Sequence, residues 1–149
     1  MAHAQQQILN ALQTLLVAGG TVAGARVYLD RVDAVPPESL PAILIEEDVE
    51  GETAELYTIG SLEQRQLAVQ ITAVLAQTTT AAADARAFGL AIEKLIAPST
   101  AIGALAKLGW RIKNSRQLNS GESERLLAAR QQNWIFTYLV APAAPDVIL

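Results

Sequence analysis

Residues 65–77 read RQLAVQITAVLAQ, and Leu67, Val69, Ile71, Ala73 and Leu75 alternate there with Ala68, Gln70, Thr72 and Val74. Strict alternation places one set on each face of a strand, and the run is about twice the usual strand length, so a long central strand is predicted. The second face carries Ala68 and Val74 and is expected to be partly covered as well.

Upstream, Ile8, Leu9, Ala11, Leu12, Leu15 and Leu16 recur at helical spacing, and Ala18–Gly20 (AGG) marks the end of an amphipathic helix. In RVYLDRVDAVPPESLPAILIEEDVE, residues 26–50, β-branched and aromatic residues favour a strand from Arg26 to Asp33. Prolines then interrupt it, because proline cannot donate to a ladder, and Ile43 and Ile45 begin a second strand. The prolines are thus expected to form the turn between two strands. Downstream, Thr78–Thr80 supplies an N-cap for a helix with Ala85, Phe88, Ile92, Leu95 and Ile96 on one stripe, ended by Pro98. Residues 102–108 read as either a helical turn or a loop. WRIKNSRQL from Trp110 and RQQNWIFTYLVA from Arg130 read as strands around a turn, NSGESE.

This order predicts an α+β fold with a mainly antiparallel or mixed sheet of four to five strands covered by two helices. Residues 1–141 are expected to form a single domain and residues 142–149 a C-terminal tail. The length of 149 residues suits one core, and the 51% hydrophobic content lies mostly in aliphatic side chains.

The net charge of −4 opposes broad capture of nucleic acid or anionic membrane. The chain has no cysteine, which removes disulfides, thiolate metal sites and cysteine nucleophiles, and fits a reducing compartment. The N-terminal segment lacks the basic and long apolar regions of a signal peptide or membrane span. A hydrolase triad would depend on His3, the single histidine, next to a terminus. No phosphate-binding glycine loop or nucleophile elbow occurs, so no catalytic or cofactor-binding residues are assigned.

Two charged segments stand out. Glu46, Glu47, Asp48, Glu50, Glu52 and Glu55 form an acidic run whose spacing fits no EF-hand. It reads first as a solvated loop or strand end, then as a partner surface, and only in third place as a metal or acid/base site. Lys107, Arg111, Lys113 and Arg116 gather basic residues without an intervening acid. On a strand, Arg111 and Lys113 share one face, with Trp110 and Ile112 on the other. Unlike surfaces of this kind permit head-to-tail self-association.

The whole arrangement, from the N-terminal helix through residues 26–50, the long strand, FGLAIEKLI and QNWIFTYLV, resembles the tail-terminator proteins of long-tailed bacteriophages, of the minor tail protein U type. That resemblance implies a structural virion protein without catalytic residues or cofactors. It would form a homo-oligomeric, hexameric ring on the head-proximal end of the tail tube, contacting the tail-tube protein and a head–tail connector protein. DNA would pass through the channel without specific binding, and assembly would take place in the host cytoplasm, ending in the neck region of the virion tail. The acidic run would then line the channel or meet the tube, and the basic segment would contribute ring contacts. The alternatives are a head-completion or neck connector protein and, from another class, a small metal-binding protein or enzyme using Glu46–Glu55.

Overall fold

Three α-helices lie on one face of a six-stranded mixed sheet in the computed structural model, which describes residues 2–56, 61–76, 78–120 and 127–149. In chain order the elements are α1 (Ala4–Ala18), β1 (Val27–Leu29), β2 (Ala42–Leu56), β3 (Glu63–Ala76), α2 (Ala81–Ile96), α3 (Thr100–Leu105), β4 (Gly109–Ser120), β5 (Leu127–Ala141) and β6 (Ala144–Ile148). The sheet order is β1-β2-β3-β5-β4, with β6 also paired to β5. The expected α+β class and mixed, mainly antiparallel sheet are therefore present.

The strand predicted from residues 65–77 is β3, which lies between β2 and β5 and is antiparallel to both. Leu67, Val69, Ile71 and Ala73 are fully buried beneath the helices, in register with Phe136, Trp134 and Ile45 on the flanking strands. Each fully buried Leu, Ile or Val of this face contributes about 1.5–3 kcal/mol of apolar transfer. Ala68 and Val74, on the other face, are buried too, each at 7% exposure, as the covered second face requires. The helical stripes hold as well: Ile8, Leu12 and Leu16 of α1 and Ala85, Phe88, Ile92 and Ile96 of α2 enter the same core.

Gly89 sets the closeness of α2 to the sheet. A Cβ at that position would lie 3.0 Å from Arg130 Cγ and 3.1 Å from Gln132 Nε2. The contact lets the buried Gln132 amide donate to the Gly89 carbonyl (2.9 Å) while its oxygen accepts from Trp134 Nε1 (3.0 Å). A glutamine inside an apolar core is stable only with its polar atoms paired in this way.

Three local expectations change, and one left open is settled. The proline segment does not make a hairpin: β1 pairs parallel to β2, Val27 opposite Ile43 and Leu29 opposite Ile45, so residues 30–41 are a crossing connection with one short 3-10 turn at Pro37–Ser39. Prolines break a ladder but do not specify the direction in which the chain returns. The expected tail is not a tail, because residues 144–148 form β6, with Val140 opposite Ile148, and the domain runs through them. Backbone pairing and the half-buried Ile148 hold this segment. Thr80 occupies the N-cap of α2 without capping it; its hydroxyl donates to Asp84 Oδ2 instead (2.9 Å). Residues 102–108, left open by the sequence, hold most of α3, capped by the Ser99 hydroxyl accepting from Ile102 N. Most of the expected NSGESE turn lies outside the described residues.

Candidate functional site

β2 carries the acidic run and β4 the basic one, and the strand order puts them toward opposite edges of the same sheet. The acidic run is not one continuous surface. Glu46, opposite Gln70, accepts from that side chain's amide (2.9 Å) on the face away from the helices. Between Glu47 and Glu52 the register with β3 shifts, a bulge that contains Gly51 at φ +63°, a conformation glycine adopts without steric cost. The bulge reaches over the open face of the sheet, where Glu50 forms an ion pair with Lys113, although β3 and β5 separate their strands.

The same bulge reverses the alternation, so Glu52 comes to lie opposite Leu67 on the helix-covered face. Its side chain is only 10% exposed and accepts hydrogen bonds from the Tyr138 hydroxyl and from Gln5 Nε2 (2.5 Å), with Arg65 Nη1 at 3.5 Å. Arg65 also meets Glu63 at 3.0 Å. Burial, reinforced by the Glu52 hydrogen bond, holds the Tyr138 hydroxyl in its neutral, donating form well above the ordinary tyrosine range. Burial opposes the charge on Arg65, but the Glu63 hydrogen bond and the Glu52 and Glu63 carboxylates outweigh it and raise its pKa. This group ties α1, β2, β3 and β5 together. Glu55 stays exposed and accepts from Gln64 (3.1 Å). Glu47 is exposed and Asp48 half-buried.

On β4, Trp110 and Ile112 pack toward the core, and Trp110 Nε1 donates to the Ile96 carbonyl (3.0 Å), as the predicted faces require. Arg111 is exposed on the other side. A register shift between Ile112 and Asn114 takes Lys113 out of the alternation and directs it to Glu50. Arg116 is exposed and donates to Gln131 Oε1 (2.6 Å), and Lys107 sits exposed just before the strand. Thus one acid of the acidic run and one base of the basic segment meet within a single chain, while Arg111, Arg116 and Lys107 remain on the surface.

His3 serves α1, its Nδ1 accepting from Gln5 N (3.2 Å). Among the described residues, no group of three or more His, Asp or Glu side chains is placed to hold a metal ion, and no helix is long and apolar enough to cross a membrane. The acids at 46–55 do not converge on a point. The sequence reading missed the Glu52–Tyr138–Arg65–Gln5 group; the available signal was Gly51 within a strand pattern, which marks a bulge. It also missed an apolar groove of about 400 Å³ between α2 and the Val22 and Pro41 wall, floored by Leu75 and Phe88.

Neither a scan against protein-family models nor a search of curated proteins finds a match to this chain.

Proposed function

We propose that this protein is a structural virion component that assembles head to tail into a ring, caps the head-proximal end of a phage tail tube and presents the surface to which the head is joined. The observation that carries the reading is the placement of two unlike charged segments toward opposite edges of one sheet. Each copy therefore offers two different surfaces, which a ring built from heterologous contacts needs. The resemblance to the tail terminators, spread over the order of elements from α1 to β5, supplies the tube end as the place where such a ring would act.

On this reading the Glu50–Lys113 pair and the Glu52 group shape the β2 arm within each subunit. The exposed acids Glu46, Glu47 and Glu55 then serve as channel or tube surface, and Arg111, Arg116 and Lys107 as ring contacts. A reconstitution tests it: tail-tube protein is polymerised with increasing amounts of this protein and tube length is measured by electron microscopy. Capping shortens the tubes in proportion to the protein added and leaves density at one end. Unchanged tubes with bare ends contradict the proposal.

A further inference from the structure

We propose that successive copies join edge to edge, the outer side of distal β2 in one copy adding as a strand beside β4 of the next. This deepens the ring reading above and rests on it only for self-association through unlike surfaces. β1 covers β2 at Ile43–Ile45 alone, followed by one bond from Asp30 N to the Ile45 carbonyl. From Glu46 onward, no described strand pairs with the outer side of β2. At the other end of the sheet β4 pairs with β5 and with no other described strand. Rows of unpaired backbone N–H and C=O groups recruit further strands unless something prevents it.

Charge decides which strand is recruited. Distal β2 presents exposed Glu46, Glu47 and Glu55 with no base between residues 46 and 56, and β4 presents Arg111 and Arg116 with no acid. Each edge repels its own counterpart on a second copy, which is the usual protection of an edge strand, yet the two edges attract each other. The regular stretches beyond the bulges, Glu52–Leu56 and Asn114–Ser120, are long enough to form a ladder. Leu56, 76% exposed at the end of the β2 arm, adds apolar surface for a neighbour to cover. Because the joining edges lie at opposite ends of one sheet, every junction repeats the last, and pairing propagates in one direction until it closes.

The lack of native cysteine makes cross-linking a clean test. Ala54→Cys labels β2, while Asn114→Cys and Ser115→Cys label adjacent β4 positions that project to opposite faces, so one matches the face of residue 54. Folding of each variant is checked by circular dichroism, and the variants are oxidised singly and in mixtures over a range of concentrations. The expected result is covalent dimers from a β2 variant mixed with a β4 variant and little from any variant alone. Arg111→Glu with Arg116→Glu in the β4 variant should reduce the yield several-fold, and Glu55→Arg in the β2 variant should recover part of it. Equal cross-linking by single variants overturns the proposal in favour of like-edge pairing. Self-association by light scattering without mixed cross-links overturns the edge junction and leaves the ring reading standing. A monomer at every concentration, with no cross-links, overturns both.

Discussion

The Tyr138 hydroxyl donates to the Glu52 carboxylate, joining β5 to β2 immediately after the β2 bulge. Tyr138 is fully buried and Glu52 nearly so, and the bond completes a set of partners for the carboxylate that includes Gln5 and Arg65. A hydrogen bond to a charged group contributes about 1.5–3 kcal/mol, so Tyr138→Phe should lose about that much in urea denaturation. It should also change the response to alkali. The unfolded chain releases the tyrosine proton near its ordinary value of 10.0, whereas the folded chain retains it to higher pH. The contribution is therefore complete below pH 10 and falls as pH rises above it, by about 1.4 kcal/mol per pH unit. Denaturation curves at neutral and strongly alkaline pH should show this component in the parent protein and not in Tyr138→Phe.

Gly89→Leu should destabilise the protein by about 1–3 kcal/mol, the usual cost of overpacking. The new side chain meets Gln132, which cannot withdraw because its amide is held by both Gly89 and Trp134. Helix propensity alone predicts the opposite sign, since glycine is about 1 kcal/mol worse than the best helix formers. A thermal melt decides which effect wins, and an increase in Tm contradicts the close approach of α2 to the sheet.

Removing residues 142–149 should cost about 2 kcal/mol or more through lost apolar burial and pairing. The deletion removes β6, the packing of Ile148, the bond from Leu149 N to the Leu139 carbonyl (3.0 Å) and that from Gln7 Nε2 to the Asp146 carbonyl (2.7 Å). A tail without a structural role predicts an unchanged Tm.

The elements that could be read from the sequence are those whose burial follows a simple period. Leu67–Leu75 alternate, α1 and α2 show helical stripes, and Trp110 and Ile112 oppose Arg111. What could not be read depends on chain geometry beyond the period. The prolines at 36, 37 and 41 announce an interruption and leave the direction of return open, so a parallel connection looked like a hairpin. The final segment contains two prolines and no alternating apolar pattern, and its pairing with β5 depends on where the end of β5 lies in space. Glu52 looks like its acidic neighbours because alternation counted from Ile43 and Ile45 assigns it to the outer face. The bulge at Glu47–Glu52 reverses that parity and turns Glu52 inward to Tyr138. Likewise, Glu50 and Lys113 are distant in sequence, and only two bulges bring them together.

The most direct measurement of the central claim is the length distribution of tails, by electron microscopy, in phage lysates made without this protein. The proposal predicts tail tubes of uncontrolled length, unattached to heads, with uniform tails restored when the protein is supplied in trans. Tails of normal length in its absence contradict the terminator function, and normal tails accompanied by unfilled or unstable heads assign the protein to head completion instead.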